Sequence, residues 1–354
     1  MQKRQWNTLL LRLGGGLLLM LSAFITLWLN EGRVNLANVA RRSQPLPAET
    51  TDASADGQFA SITGRLTTAE SLGDDLFLRA GEYVRVERQV EMYAWTESEQ
   101  SDGETTSYIY EQTWTSDVPA SAGFANPEGH ENPPLPFPGS VFLASQAAIG
   151  AYTFDPSQVT LPRNQRLLLS AAVIRESSYP IVADFIFLGT GTLANPNIGD
   201  VRVSYWVVPA NRVATAFARV QGNTLQPYYH NDKVSLYRIL LGDRVAALDQ
   251  LQFEYRAALW GVRFAGFSLM WGGVALLFSP INLLLGWLPG LRGVGRWLTG
   301  LVSGVIAGAL SLITILIGYL AHNLLALIIF LLLLAAGVTL WQRRSQTQVG
   351  AKLG

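Results

Sequence analysis

The sequence predicts an α-helical membrane protein of four spans, with a large, mainly β extracytoplasmic domain inserted between span 1 and spans 2–4. Three observations predict it. From Phe264 to Trp341 the only full charges are Arg292 and Arg296. So long an apolar stretch suits no soluble core, whereas roughly 20 apolar residues cross a bilayer as a helix. A second uncharged run, Leu13 to Leu29, follows Lys3, Arg4 and Arg12. Between the two runs lie segments that alternate or carry β-branched and aromatic residues, the pattern of half-buried strands.

Residues 1–12 form a basic N-terminus and 13–29 the first span. The run ends in Trp28-Leu29-Asn30-Glu31-Gly32-Arg33. No small-residue cleavage site lies nearby, which favours an anchor over a signal peptide. Gly14-Gly15-Gly16 is either a close packing point or a flexible entry. Residues 30–57 read as a linker, because 42–57 are rich in Ser, Ala, Asp, Thr and Pro.

The β domain is expected over 58–242. Its strands are read at 59–66, 83–95, 108–114, 166–173, 182–188, 201–208 and 215–220. The second and third make a hairpin across the polar turn Glu97 to Thr106. Phe59–Gly64 and Phe217–Gly222 look alike, through chance similarity between strands or through duplication. Pro133–Pro138 reads as a rigid loop, with a partner-groove ligand as the other reading.

From Asp243 the period changes. Val245, Leu248, Leu251, Tyr255 and Leu259 recur every three or four residues, an amphipathic helix over 243–263 with Asp243 as N-cap. It either continues through Trp260-Gly261-Val262-Arg263 as one stiff rod into the membrane or breaks at Gly261. Span 2 is 264–285, with Pro280 and Asn282 near its exit. A cytoplasmic loop follows at 286–296, holding the break Trp287–Leu291. Span 3 is 297–321, His322-Asn323 the turn, span 4 is 324–341, and 342–354 the tail.

Basic residues near short loops favour the cytoplasm. Lys3, Arg4 and Arg12, the loop's Arg292 and Arg296, and the tail's Arg343, Arg344 and Lys352 fall on one side if there are four spans. The domain then lies opposite, because long domains translocate largely regardless of charge.

With 26 basic and 26 acidic residues the chain is formally neutral, against a nucleic-acid partner. Having no cysteine, it forms no disulfide, thiolate zinc site or cysteine nucleophile, and three histidines make a His-rich metal site improbable. No cofactor is expected. His130 beside Glu131, and His230 beside Asp232, read as solvated loop pairs, without a nucleophile elbow or phosphate loop nearby. Gly189-Thr190-Gly191-Thr192 lacks the remainder of a nucleotide fingerprint. Glu87 and Glu91 share one face of a strand, as a solvated face would. The spans hold no acid or lysine, and the ionisable candidates at the membrane are His322 and Arg263, which weakens a channel reading. Gly300, Gly304 and Gly308 form a small-residue stripe for close helix approach, through packing within the chain or homo-oligomerisation.

Several segments, in order, resemble the transmembrane protein 43 (LUMA) family. They are Asn30-Glu31-Gly32-Arg33; Val90-Glu91-Met92-Tyr93-Ala94-Trp95 with Tyr110–Trp114; Asn132-Pro133; Gly199-Asp200-Val201-Arg202-Val203-Ser204; and Trp260-Gly261-Val262-Arg263. The signature residues are thus Asn30, Glu31, Gly32, Arg33, Glu91, Met92, Tyr93, Trp95, Trp114, Asn132, Pro133, Gly199, Asp200, Arg202, Trp260, Gly261 and Arg263. None belongs to a catalytic motif. The resemblance implies a non-catalytic scaffold of the endomembrane system, or of a bacterial inner membrane with its domain in the periplasm. The absence of cysteine and the compact tail give the chain a bacterial style. In the animal members of the family, which sit in the endoplasmic reticulum and inner nuclear membrane, the resemblance implies membrane-protein partners and self-association. The partners expected here are the bilayer, other membrane proteins and a second copy. The alternative is a membrane-anchored enzyme or sensor of lipid or cell-envelope material.

Overall fold

The computed structural model describes residues 2–101, 105–176, 178–231, 234–280 and 292–350. Asp232, Asn282, the rest of 281–285, the break at Trp287–Leu291 and Lys352 lie outside the described residues. The chain divides into two compact units, Ala37–Gln250 and Met1–Leu36 with Leu251–Gly354.

The first unit is the mainly β domain. One sheet contains β1 (Gln44–Leu46), β2 (Phe59–Thr68), β6 (Ala147–Ile149), β7 (Tyr152–Phe154), β12 (Val213–Gln221), β13 (Thr224–Gln226) and β16 (Arg238–Leu241). Its pairings run β2–β6–β7–β13–β12 and return to β2, so these strands close on themselves. Closure removes free edges and encloses a core that includes Ile62, Leu66, Ile149, Tyr152, Phe154 and Val220. The two similar hexapeptides are direct neighbours, with Ala60 opposite Ala218 and Ser61 opposite Phe217.

The other large sheet runs β4 (Thr106–Thr115), β3 (Tyr83–Ser101), β11 (Val201–Pro209), β10 (Phe185–Leu188), β9 (Ile181–Val182). β5 (Ser140–Leu143) joins β3, and β8 (Gln165–Arg166) joins β11. β14 (Tyr228–His230) and β15 (Val234–Leu236) form a small separate hairpin. On β3 the buried residues Val84, Val86, Arg88, Val90, Met92 and Ala94 alternate, as the side-chain period of a strand demands. Beyond Trp95 the strand runs on against β4, past the expected end of the hairpin.

Three segments depart from the sequence reading, the first being the strand read at 182–188, which is a hairpin of β9 and β10 turned at Ala183 and Asp184, both at positive φ. Within 30–57, α2 (Leu36–Arg41) and β1 are ordered elements, and β1 pairs parallel with β2. The turn-forming residues hid Ala37, Val39, Ala40 and Leu46, all of which are buried. In 166–173 only Arg166 is strand, as the end of β8. That stretch is an apolar Leu run without alternation, and its backbone leaves the sheet after Leu167 bonds to Tyr205.

The second unit holds α1 (Gln2–Glu31), α3 from Leu251 onward (the whole helix is Arg244–Leu277), α4 (Arg292–His322) and α5 (Leu324–Gly350). Asp243 Oδ1 accepts the Ala246 N–H at 2.9 Å and caps α3. Gly261 does not interrupt that helix. Among the described residues α1, α3 and α4 carry stretches long and apolar enough to cross a membrane, and α5 has a shorter one, Leu324–Gly337. Leu10, Leu17, Leu18, Leu316 and Leu332 are exposed, as lipid-facing residues are, and the chain is a membrane protein.

Candidate functional site

In the membrane unit Asn30, Glu31, Arg263 and His322 converge on one node. Arg263 donates from Nε to Glu31 Oε1 at 2.9 Å and from Nη2 to Oε2 at 2.8 Å. The Glu31 side chain is 2 % exposed and that of Arg263 18 %. The bidentate fork adds both energy and geometric specificity to the ion pair. The Arg263 guanidinium also lies 4.8 Å over the Trp260 ring. One residue earlier, Asn30 donates to Leu259 C=O at 3.0 Å. His322 completes the node. Its ring packs edge-on to Trp28 with centroids 5.3 Å apart, and its Nδ1 lies 2.8 Å from Gly318 O. A Cβ on Gly32 would meet that ring at 2.8 Å, and one on Gly318 would meet Glu31 Cβ and Cγ at 3.2–3.3 Å. Arg33 is exposed, and a Cβ on Gly261 would meet nothing.

The helices reach this node by close approach elsewhere. A Cβ on Gly16 would lie 2.9 Å from Gly273 O, and one on Gly273 would lie 2.8 Å from Gly16 O. Gly16 is therefore a packing point rather than a flexible entry. Gly266 receives Leu27 in the same way, at 2.6 Å. Sequence reading missed Gly266 and Gly273, whose spacing of seven on one helix was the available signal. The stripe on α4 packs differently. A Cβ on Gly304 would meet the Trp271 indole at 3.5 Å and one on Gly308 the Phe267 ring at 3.9 Å, while one on Gly300 would meet nothing within 4 Å, although Gly300 O accepts the Trp271 indole N–H at 3.1 Å. Aromatic rings, not a helix backbone, fill that groove.

In the β domain the signature residues pin one end of the second sheet. Arg202 Nε donates to Glu91 at 2.8 Å, and its guanidinium lies 4.6 Å from the Trp114 ring and 4.8 Å from Phe185. Tyr93 packs on Trp114, and Met92 is fully buried. Asn132 clamps Trp95, accepting its N–H at 2.7 Å and donating to its C=O at 2.9 Å. Gly199, at φ +92°, leaves just enough room for Pro133. Buried Asp200 accepts the N–H groups of Thr190, Gly191 and Asn197 at 2.8–3.1 Å. The glycine pair Gly189 and Gly191 thus cradles the protein's own carboxylate, where a nucleotide loop would cradle phosphate.

One expectation about a solvated group changes. His130 is stacked on Tyr110 with centroids 3.8 Å apart and set edge-on to Trp95 at 4.7 Å, because the loop's aromatic neighbours cover it. Glu87 and Glu91 are ion-paired to Arg85 and Arg202. Sequence reading also missed the buried triad Asp74–Arg88–Tyr205. Arg88 Nη1 donates to Asp74 Oδ2 at 2.8 Å, and Tyr205 OH donates to the same oxygen. Burial raises the Asp74 carboxyl, but the bonds from Tyr205, Leu78 N–H, Arg88 and Phe77 N–H outweigh it and hold it below the usual range. Burial first, and then Asp74, push the Tyr205 phenol far up. Among the described residues no group of three or more His, Asp or Glu is placed to hold a metal.

A family model described as Transmembrane protein 43 matches residues 92–324. Transmembrane protein 43 of Mus musculus is 28% identical over 338 residues, covering 87% of this chain and 84% of its own. That of Homo sapiens is 27% identical over the same shares. The Transmembrane protein 43 homolog of Drosophila melanogaster is 25% identical over 303 residues, 77% of this chain and 80% of its own. No solved structure gives a significant match. The matched residues run from buried Met92 through the Arg202 stack, Arg263 and His322 to Leu324, and the chain belongs to the transmembrane protein 43 family.

Proposed function

We propose that this chain is a non-catalytic membrane scaffold that organises membrane protein complexes or membrane structure through its β domain. It crosses the bilayer four times, with α5 as the fourth span, both termini cytoplasmic, and the domain outside between span 1 and spans 2–4. The observation that carries the scaffold reading is β4. Ten residues long, it borders β3 on one side and ends the order of its sheet, with Tyr108 and Ile109 about two-fifths exposed (41% and 42%). An edge strand of this length offers backbone donors and acceptors to an added strand. The signature residues support it from behind, spent on ion pairs, stacking and backbone clamps. Affinity purification from native membranes, followed by mass spectrometry, tests the reading. A membrane protein should co-purify in stoichiometric amount with the wild type and be lost with Ile109→Lys. A wild-type chain that purifies alone, or a complement unchanged by Ile109→Lys, would overturn it.

A further inference from the structure

On the outward face of the second sheet lies an open cleft of about 870 Å³, within the roughly 300–1,000 Å³ of small-molecule sites. Its floor comes from alternate residues of β3, Arg85, Glu87 and Gln89, with Trp206 of β11 directly opposite Glu87 in the strand register. One wall is the loop carrying Arg163 and Asn164. These side chains are held in place. Glu87 Oε2 accepts from Arg85 at 2.9 Å and from Asn164 Nδ2 at 2.8 Å, which ties the loop to the sheet. Trp206 Nε1 donates to Gln89 Oε1 at 3.1 Å and so fixes the indole.

The charge count leaves one cation over. Glu87 neutralises Arg85, and Asp74 neutralises Arg88 beneath the floor. Arg163 is exposed and, among the described residues, has no ion-pair or hydrogen-bond partner. Arg85 keeps 35% of its side chain exposed. Recognition here works through side chains alone. β3 is paired on both sides along residues 85–88, with β11 and with β5, and β11 at Trp206 with β3 and β8. On the side of β3 shared by β5 and β4 only residues 89–91 lack a strand partner, a gap too short to hold an extended peptide. A flat indole offers a surface for the C–H face of a pyranose. Glu87, Gln89 and Asn164 offer mixed donors and acceptors for its hydroxyls, and guanidinium groups match a carboxylate in shape and charge.

We propose that this cleft binds an acidic saccharide, one ring stacked on Trp206 and its carboxylate held by Arg163 with Arg85. This goes beyond the scaffold reading and does not depend on it. Calorimetric titration of the full chain in detergent tests it, with trigalacturonate as ligand. Neutral galactotriose, inorganic phosphate, adenosine monophosphate and an acidic hexapeptide are the comparisons. Trigalacturonate should bind best. Arg163→Glu, a surface change that leaves the unfolding temperature in place, should weaken it roughly tenfold or more, as loss of one hydrogen bond to a charged group does. Trp206→Phe should weaken saccharide binding while leaving phosphate binding unchanged. The proposal fails if trigalacturonate does not bind, if Arg163→Glu leaves its affinity unaltered, or if any comparison ligand binds as tightly.

Discussion

Glu31 and Arg263 join the last turn of α1 to the middle of α3 by two parallel hydrogen bonds, across 232 positions of sequence. A buried pair of this kind is costly to break, because removing one partner strands the other charge, yet it is often replaceable as a whole. Glu31→Ala should therefore destabilise the membrane unit by roughly 3–5 kcal/mol. Glu31→Met combined with Arg263→Met should recover most of that loss. Thermal unfolding in detergent reads both, and a double variant no more stable than Glu31→Ala would refute the account.

The glycines separate by what they touch. Gly273→Ala gains helix propensity of up to about 1 kcal/mol, so any net loss measures the clash with Gly16 O. Gly304→Leu drives into the Trp271 indole, whose N–H bonds Gly300 O at 3.1 Å and Ser303 Oγ at 3.2 Å. It should cost roughly 1–3 kcal/mol, as overpacking does. Gly300→Ala meets nothing and should be neutral or mildly stabilising. The expected order of melting temperatures is Gly300→Ala at the top, with Gly273→Ala and Gly304→Leu below wild type. Any other order places the contact elsewhere. Because Trp271 of the same chain covers Gly304, oligomer size should not change with these variants.

Asp74 gives the β domain an acid-labile anchor. Its folded carboxyl lies below the ordinary value of 3.8. The stability it contributes is therefore complete above that value and is lost as pH falls through the folded one. Unfolding of the wild type should ease progressively below about pH 4. Asp74→Asn, which leaves Arg88 buried without its carboxylate, should lose roughly 3–5 kcal/mol at neutral pH and show a flatter acid limb. Equal acid slopes for the two proteins would remove Asp74 from the explanation.

Much of this architecture was legible because one-dimensional patterns carried it. The alternation of Tyr83–Trp95, the helical period from Val245 and the charge-free run from Phe264 each report a single face buried along a regular element. The Asp243 cap was legible for the same local reason. What escaped was pairing at a distance. Glu31 and Arg263 each looked like a charge at the end of an apolar run, and nothing in one sequence says which two such ends meet. Asp74, Arg88 and Tyr205 sit on separate segments with no shared spacing. The stripe at Gly300, Gly304 and Gly308 was readable as small residues, but not as a groove filled by Phe267 and Trp271 instead of a backbone. His130 looked solvated because the loop around it is polar, whereas its partners Tyr110 and Trp95 come from β4 and β3.

The proposed topology rests on charge and is open to a direct chemical test. Lys3, Arg4, Arg292, Arg296, Arg343 and Arg344 fall on one side only if the count of spans is even across the chain. Three spans, with α5 lying outside the bilayer core, would put the tail opposite the N-terminus. The chain has no cysteine, so single cysteines report without background. Ser116, at the end of β4 and exposed, samples the domain. Gln346 samples the C-terminal stretch and Gln2 the N-terminal end. On intact cells an impermeant maleimide should label Ser116→Cys and miss Gln346→Cys and Gln2→Cys, while all three label after permeabilisation. Labelling of Gln346→Cys together with Ser116→Cys would leave three spans. Labelling of Gln346→Cys and Gln2→Cys without Ser116→Cys would keep four and invert them.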